Sequence, residues 1–308
     1  MNAEIKKMAL EVGFDACGIT AAEELTDDAV FLRKWLAESN HGAMRYLERN
    51  FEKRTNPRLL VPDCKSVVVV LLNYYNKIQQ PHDAPKIARY AHSAIDYHAV
   101  IQQKLTQLEN KIIEQYSETI VNKAYQHSFT DSAPVLERRL AERAGLGWLG
   151  RNTCLVANDV GTFCFIGCLM LNAEMEYDTP VKNRCGACRK CENACPVQAL
   201  KGGTLDARRC ISYQTIENKE FVTEEFRPLL SGYAVGCEIC AEVCPWNKKW
   251  AKPHSHSELQ PTPELALWTK SDWQNLTKEQ FYQTFKNSAI RRLKFEKLKD
   301  NIKNSTKL

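Results

Sequence analysis

The sequence predicts an α+β protein with a separate cysteine-rich domain. Over the first 180 or so residues, helical and strand-like segments alternate without a regular β-α-β rhythm. Eight of the 13 cysteines fall between residues 185 and 244, and residues 286–308 carry a net charge of +6. We therefore expect a mixed domain over 1–180, a cysteine domain over 181–250, and a linker with a basic helical tail over 251–308.

Apolar spacing and turn-forming residues predict the elements in order. Helices are predicted over 2–13, 25–39 and 97–116, over 133–147 where Pro134 opens the helix, and as two short helices over 277–302. Strands are predicted over 14–20, 66–73, 119–125, 152–158 and 162–171.

Several classes of protein are disfavoured by what the sequence lacks. It has no GxGxxG and no GxxxxGK[ST] pattern, so neither a dinucleotide site nor a P-loop is indicated. Its longest apolar stretch, 66–75, is too short to cross a bilayer. Residues 1–13 are polar, without a signal-peptide apolar segment or a twin arginine. We expect a cytoplasmic protein that does not bind a membrane.

Two runs of cysteines have the spacing of iron–sulfur ligands. The run over 185–196 reads C-x2-C-x2-C-x3-C-P, the bacterial ferredoxin pattern for 4Fe–4S clusters, whose fourth cysteine ligates the other cluster of a pair. The run over 237–245 keeps the last three positions, and Cys210 is the nearby cysteine left to fill the vacant one. A structural zinc module is the alternative, although zinc does not require this triplet followed by proline.

Elimination then assigns two sets of four ligands. Cluster one takes Cys185, Cys188, Cys191 and Cys244, and cluster two takes Cys195, Cys210, Cys237 and Cys240. The other five cysteines stand in apolar contexts and are predicted to be buried free thiols: Cys17, Cys64, Cys154, Cys164 and Cys168.

The basic tail has eight Lys or Arg against two acids over residues 286–308. Such a local excess indicates contact with a polyanion, and a solvated amphipathic helix is the equally weighted alternative. Arg291 and Arg292 are candidate contacts to such a polyanion.

Five stretches occur in an order that resembles the epoxyqueuosine reductases, which are cobalamin-dependent iron–sulfur enzymes of tRNA modification. They are "KRTNPRLLVP" (53–62), "ARYAHSAIDYH" (88–98), "DSAPVLERRLAERAGLGWLGRN" (131–152), "LDARRCISYQTIE" (205–217) and "GCEICAEVCPWN" (236–247). The resemblance implies a nitroreductase-like domain that binds base-off cobalamin, beside a ferredoxin-like domain with two 4Fe–4S clusters. It also implies a short form without the C-terminal helical-repeat domain of many members.

The resemblance implies an activity and site residues as well. The activity is reduction of epoxyqueuosine to queuosine at the wobble position of tRNA, with electrons relayed through both clusters to cobalamin. Asp131 matches the catalytic acid, and Arg54, Asp131, Leu155 and Ser212 match cobalamin contacts. A proton donor must stay protonated near neutral pH, so we expect burial against an apolar face, which the corrin ring could provide, to raise the pKa of Asp131.

From spacing alone, Asp131 would be an N-cap or turn residue before Pro134, and His98 a hydrogen-bonded residue at a helix start. The expected partners are a tRNA anticodon loop that carries epoxyqueuosine and an electron donor such as a ferredoxin or flavodoxin, and we expect a monomer. The alternative enzyme is a corrinoid iron–sulfur reductive dehalogenase that acts on a small organohalide. A non-catalytic electron carrier or a zinc-stabilised RNA-binding module is the alternative from another class.

Overall fold

The structure, a computed structural model, describes residues 1–305. The strands are β1 (Ala16–Ala21), β2 (Ser66–Asn73), β3 (Lys86–Ile87), β4 (Ser128–Phe129), β5 (Gly147–Leu149), β6 (Leu155–Ala157), β7 (Cys164–Leu171), β8 (Leu200–Lys201), β9 (Thr204–Leu205) and β10 (Tyr233–Val235). The helices are α1 (Asn2–Glu11), α2 (Thr26–Ala37), α3 (Phe51–Thr55), α4 (Pro57–Leu60), α5 (Tyr97–Gln115), α6 (Glu137–Arg143), α7 (Lys190–Ala194), α8 (Ile239–Glu242), α9 (Pro245–Trp250), α10 (Glu264–Leu267), α11 (Lys270–Asn275), α12 (Lys278–Thr284) and α13 (Phe295–Ser305).

A four-stranded antiparallel sheet in the order β1-β2-β7-β4 forms the centre of the first domain. All eight residues of β2 are buried, because helices cover both faces of the sheet. Val68, Val70 and Leu72 belong to the apolar cluster that includes α1 and α5 residues, whereas Val67, Val69 and Leu71 belong to the cluster that includes α6 residues. The uninterrupted apolar run in the sequence is thus a central strand with two covered faces.

Helix α6 approaches the sheet closely where β1 carries glycine. A Cβ atom at Gly18 would overlap the carbonyl oxygen of Ala144, which follows α6. Only glycine therefore allows α6 to pack this closely on β1. The position of α6 also sets where residues 131–136, which lead from Asp131 into the helix, can lie.

The cysteine-rich segment packs around a small apolar cluster of its own, built on Val197, Ala199, Ile211, Val222, Leu230 and Tyr233. Residues Tyr213–Glu217 form a π-helix directly after Cys210 and Ser212. The parallel pair β10 and β3 joins this segment to the first domain.

The C-terminal segment forms a packed unit with a core, rather than a free tail. Trp273, Phe281 and Phe285 are fully buried, and Phe285 lies 6.0 Å from Trp273 between ring centroids. The Nδ2 atom of Asn301 in α13 donates to the carbonyl oxygen of Thr215 at 2.8 Å and to that of Ala234 at 2.9 Å. Helix α13 is therefore bonded to the π-helix and to β10. Lys307 of the basic tail lies outside the described residues.

Most predicted elements are confirmed, including β1, β2, β7, α2 and α5 and the helices over 277–302. The strand predicted over 119–125 is wrong. Residues Glu118–Ile120 form a 3₁₀ turn, and the Asn122 side chain accepts a hydrogen bond from the backbone of Ala124 at 3.2 Å. Polar side chains here bond to the nearby backbone, which favours turns over a strand.

The predicted opening of a helix at Pro134 is also wrong, because α6 begins at Glu137 and its N-cap is Leu136. The domain boundaries near 180 and 250 stay predictions. No helix within residues 1–305 combines the length and apolar character needed to cross a membrane.

Candidate active site

Asp131 stands just beyond β4, at the edge of the central sheet, in a left-handed backbone conformation with φ of 52°. Its backbone N–H donates to Glu137 Oε1 at 2.6 Å, so the first residue of α6 holds the turn. Asp131 does not cap α6, whose N-cap is Leu136. The interpretation of Asp131 as a helix-capping residue is therefore wrong, and its side chain is available for another role.

The Asp131 carboxylate faces the start of α5. Its Oδ2 atom accepts a hydrogen bond from the Tyr97 hydroxyl at 2.5 Å and lies 3.6 Å from His98 Nε2. The other ring nitrogen of His98, Nδ1, lies 2.7 Å from Asp96 Oδ1, and Asp96 also accepts from the His98 backbone at 3.0 Å. His98 is at the helix start, as predicted, and also joins two carboxylates.

The pKa values of Asp131, His98 and Glu137 are shifted in different directions. Burial alone would raise the pKa of Asp131, but hydrogen bonds from His98 and Tyr97 outweigh it, and the pKa lies below its usual value. Burial, which would lower the pKa of His98, is outweighed by Asp131 and Asp96, so that pKa is raised to about 9. Burial, followed by the charge of Asp131, raises the pKa of Glu137 to about 8.

In the described protein the pKa of Asp131 is lowered rather than raised, because a cation and a hydroxyl stabilise its charged form. The protons held near neutral pH are on His98 and Glu137. No local sequence pattern indicates that His98 and Glu137 act together, because they are 39 positions apart, although "DYH" and "PVLER" lie within the motifs.

Arg54 is buried in α3 and lies near the same group. Its Nη2 atom donates to the backbone oxygen of Tyr46 at 3.2 Å, and its Nε atom is buried without a hydrogen-bond partner within residues 1–305. The Tyr46 hydroxyl, whose pKa is raised mainly by burial, experiences the charges of both Asp131 and Arg54. Arg54 and Asp131 therefore both lie close enough to Tyr46 for their charges to act on it.

The unpartnered Nε of Arg54 is an observation that fits a bound cofactor. Buried guanidinium nitrogens are normally hydrogen-bonded, so this atom is suited to an acceptor on a ligand. Cobalamin has such acceptors in its amide and phosphate groups. Arg54 would hold one of them.

Leu155 and Ser212, the other predicted cobalamin contacts, lie on segments that the cysteines bring together. Leu155 is buried in β6, and the neighbouring Cys154 thiol experiences the charges of Cys210 and Cys244. Ser212 is half-buried at the start of the π-helix, two residues after Cys210. Both residues therefore lie near the border between the first domain and the cysteine-rich segment.

Arg292, which the sequence predicted to lie in a basic C-terminal tail, is a further charged group near Asp131. Its Nη2 atom lies 2.8 Å from Glu217 Oε1, and it lines a small recess of about 30 Å³ with Tyr97 and His98. Arg292 also lowers the pKa of Asp131, after the contributions of burial, His98 and Tyr97. The basic C-terminal segment thus reaches the edge of the candidate active site.

The eight predicted cluster ligands fall into two neighbouring groups. In the first, burial raises the pKa of the Cys244 thiol, and Cys185 and Cys188 add to the shift, while Cys185 acts on Cys191. In the second, burial raises the pKa of Cys237 to about 12, with contributions from Cys210 and Cys195, and Cys237 and Cys210 both act on Cys240. Cys191 of the first group also acts on Cys240, so the two groups adjoin, and the division of the ligands between two clusters stays a prediction.

All 13 cysteines are free thiols, including the five expected outside the clusters. Of those five, Cys64 and Cys168 are buried and the others are half-buried. Over residues 1–305, no three Cys, His, Asp or Glu side chains lie close enough together to bind one metal ion. The thiols of each group are therefore neighbours without forming a single-ion site.

Comparison with known proteins identifies the family of the chain. The family model described as "4Fe-4S double cluster binding domain" matches residues 184–247, and that described as "Epoxyqueuosine reductase QueG, DUF1730" matches residues 54–132. The epoxyqueuosine reductase of Cellulophaga algicola is 42% identical over 97% of this chain and 95% of its own length.

Two solved structures have the same fold over nearly the whole chain. An epoxyqueuosine reductase solved with an epoxyqueuosine-modified tRNA-Tyr stem loop has a TM-score of 0.85 and 30% identity, over 98% of this chain and 79% of that one. The Bacillus subtilis enzyme, solved with an aspartate-bearing catalytic loop swung out of the active site, has a TM-score of 0.83 and 29% identity over the same shares.

The fold class predicted from the sequence is confirmed by these matches. The cofactors are two 4Fe–4S clusters and cobalamin, as the double-cluster domain and the family require. With a relative 42% identical over almost its full length, the chain belongs to the epoxyqueuosine reductase family.

Proposed function

We propose that this enzyme reduces the epoxide of epoxyqueuosine in a tRNA anticodon loop, and that Asp131 protonates the departing oxygen. The observation that carries the role of Asp131 is its carboxylate, bonded to Tyr97 and 3.6 Å from His98, on a turn that leaves the side chain 55% exposed. The Asp131 carboxylate can therefore contact a substrate, while Tyr97 and His98 determine whether it is ionised.

The stoichiometry of the reaction defines what the site must supply. Conversion of an epoxide to an alkene takes up two electrons and two protons and releases one water. Reduced cobalamin supplies the electrons that break the carbon–oxygen bonds. The chain's own residues orient the nucleoside and deliver the two protons.

With a low pKa, Asp131 is ionised near neutral pH and has no proton of its own to donate. His98 and Glu137, which do hold protons, can supply them. An ionised Asp131 can receive a proton from His98, whose pKa is about 9 and whose Nε2 atom lies 3.6 Å from Asp131 Oδ2. Glu137, whose pKa is about 8, holds a second proton at the same turn, where its Oε1 atom accepts from the Asp131 backbone N–H. Either acid holds its proton at neutral pH, and together they match the need for two protons. Asp131 then acts as the group that transfers a proton to the substrate oxygen rather than the group that stores it.

The electron path follows from the two groups of thiols. Cys154, which precedes Leu155 in the first domain, lies close enough to Cys210 and Cys244 for each to influence its pKa, which burial raises. Both clusters therefore lie against the domain expected to bind cobalamin. We assign the ligands as the spacing predicted, with electrons passing from cluster one to cluster two and on to cobalamin.

Binding of tRNA is supported by the relative solved with an epoxyqueuosine-modified stem loop. Arg292 places a cation beside Asp131, where the phosphates that flank a wobble nucleoside would pass. Arg291 lies with its guanidinium 4.3 Å from the ring centre of Tyr282, at the exposed surface of the same segment. The cytoplasmic location and the monomeric state stay predictions.

The alternative of a reductive dehalogenase is not supported. Relatives that match almost the full chain are epoxyqueuosine reductases, and the chain matches the family model of that activity.

The role of Asp131 is tested by Asp131→Asn, with Asp63→Asn as the matched control. Asp63 is also exposed and also has a positive φ, of 65°, so asparagine suits both backbone positions. We expect Asp131→Asn to keep its iron and cobalamin while queuosine formation falls by about 10²- to 10⁴-fold. Asp63→Asn should turn over within about twofold of the parent.

Queuosine is measured by nucleoside analysis of tRNA after single-turnover reactions with excess dithionite. If Asp131→Asn formed queuosine at the parent rate, Asp131 would not be the proton-transferring group. If the parent enzyme itself formed none from epoxyqueuosine tRNA, the substrate would be wrong.

A further inference from the structure

Six exposed cations surround the loop that carries the cluster one cysteines. We call them the cluster-one face: Lys182, Arg184, Arg189, Lys190, Lys248 and Lys249. The sequence has no acidic residue between Asp178 and Glu192, and none between Glu242 and Glu258. Two separate stretches of chain thus contribute only positive charge here.

A cluster of tryptophans brings the two stretches together. The Arg184 guanidinium lies 5.7 Å from the ring centre of Trp148, and the Lys249 ammonium lies 5.6 Å from that of Trp246. The rings of Trp148 and Trp246 are 5.3 Å apart, and Cys185 packs against the same cluster. The cluster-one face is therefore continuous and lies directly beside a cluster one ligand.

These cations are almost free of neutralising partners. Within residues 1–305, only Arg189 of the six has an acidic neighbour, Glu192, at 3.8 Å. Some exposed lysines elsewhere are paired, as Lys65 is with Glu174 at 3.6 Å and Lys278 with Glu296 at 3.4 Å. Unneutralised like charges repel one another, so this face is suited to an anionic surface.

The cysteines expected for cluster two are more enclosed, although exposed Lys201 and Arg209 lie near them in the chain. Three of its ligands, Cys195, Cys210 and Cys237, pack against the apolar cluster of the cysteine-rich segment. The residue after Cys237 is the buried acid Glu238, which is bonded to Arg89 at 2.5 Å. By contrast, the cluster one loop is open, since a Cβ at Gly186 would meet nothing within 4 Å.

We infer that the cluster-one face is the docking surface for a small acidic protein that donates single electrons to cluster one. This inference rests on the ligand assignment and electron path of the proposed function. In each encounter the donor is oxidised by one electron and cluster one is reduced by one. Two encounters supply the two electrons that one epoxide requires, while the protons come from the active site.

The tRNA is the other polyanion that could meet this face. Proteins that hold single-stranded nucleic acid present open aromatic rings on which bases stack. Little aromatic surface is open to bases here, because Trp148 and Trp250 are buried, and the half-buried Trp246 packs against both and against the Lys249 ammonium. The surface therefore offers charge without stacking, which favours an acidic protein.

The test compares two charge-reversal variants of the holoenzyme with a matched control. One variant is Lys248→Glu/Lys249→Glu, and the second is Lys182→Glu/Lys190→Glu on the other side of the loop. The control is Lys7→Glu/Lys123→Glu, which reverses two exposed lysines on the first domain. Each protein is checked for iron and sulfide, so a variant that loses its clusters is replaced by the other.

Reduced flavodoxin is the acidic probe, and the rate of cluster bleaching is followed by stopped flow over a range of salt concentrations. We expect both face variants to be reduced about tenfold or more slowly at low salt, with the difference shrinking as salt screens the charges. The control should react within about twofold of the parent. Turnover with excess dithionite should be unchanged in all three.

Unchanged reduction of the face variants by flavodoxin would overturn the inference. If the face variants were reduced as fast as the parent but bound the tRNA stem loop more weakly, the inference would also be overturned. The cluster-one face would then be assigned to RNA. The absence of queuosine formation by the parent with dithionite would instead refute the proposed function, because the bleaching rates do not depend on the substrate.

Discussion

Asn301→Ala should lower the stability of the protein, because it removes the hydrogen bonds that attach the C-terminal unit to the segment proposed to carry cluster two. Asn301 is fully buried, and its Nδ2 atom donates to the carbonyl oxygens of Thr215 and Ala234 at 2.8 and 2.9 Å. Thr215 lies in the π-helix after the proposed ligand Cys210, and Ala234 lies in β10 before the proposed ligand Cys237. The substitution leaves two buried carbonyl groups without this donor.

The size of the effect follows from these contacts. Two lost hydrogen bonds contribute about 0.5–1.5 kcal/mol each, and the small cavity adds to them, for a total of about 2–3 kcal/mol. For a chain of 308 residues, an unfolding entropy of about 2.1 cal/mol/K per residue converts this into a fall in Tm of about 3–5 °C. Because cluster two is attached to both carbonyl-bearing segments, iron should also be lost faster to a chelator.

The assay is calorimetry of anaerobic holoenzyme at one scan rate, with iron release followed separately. Asn304→Ala is the matched control, since Asn304 is buried in the same helix but its Nδ2 atom has no hydrogen-bond partner within residues 1–305. That variant should lose only about 1 kcal/mol. A fall in Tm for Asn301→Ala that is no larger than for Asn304→Ala would refute the assigned role of the two hydrogen bonds.

Three further outcomes are expected. Burial raises the pKa of Glu137 to about 8, so turnover should be full while this acid is protonated and fall as the pH rises through about 8; a profile of Glu137→Gln with the same decline would exclude Glu137 as its cause. Arg54→Ala should weaken cobalamin binding by about tenfold or more in a spectroscopic titration, whereas Arg58→Ala at an exposed site should not; equal affinities would remove Arg54 from the cofactor site. Cys210→Ala should lose about half of the iron, and Cys164→Ala should keep it all; full iron in Cys210→Ala would contradict the ligand assignment.

The sequence predicts best where a local pattern alone decides the structure. The apolar run of β2 and the helical spacing of α5 are long and regular, so their type was predicted correctly. The cysteine spacing was equally informative, because one short loop can wrap several corners of a cluster only with that spacing. Both signals depend on residues near one another in the chain.

Prediction failed where polar side chains bond to the backbone. The segment 119–125 contains β-branched residues, yet Ser117 and Asn122 accept backbone hydrogen bonds and form turns. Pro134 is well suited to a first helical position, but α6 starts only at Glu137, whose carboxylate bonds back to Asp131. Propensity alone could not anticipate these competing hydrogen bonds.

The group of proton-holding side chains around Asp131 could not be predicted, because only the folded chain brings these residues together. Tyr97 and Asp131 are separated by 34 positions and belong to different elements. The direction of the Asp131 pKa depends on a cation that only the fold places beside it. The resemblance to a family named the aspartate, whereas its neighbours had to be read from the structure.

The bonds from Asn301 to Thr215 and Ala234 also constrain the order of biosynthesis. The chain emerges from the ribosome with Cys195 and Cys210 about 90 residues before the helix that braces their surroundings. A nascent chain therefore carries bare thiols before their final scaffold exists. Insertion of cluster two is consequently expected to follow translation, when the last helix has docked.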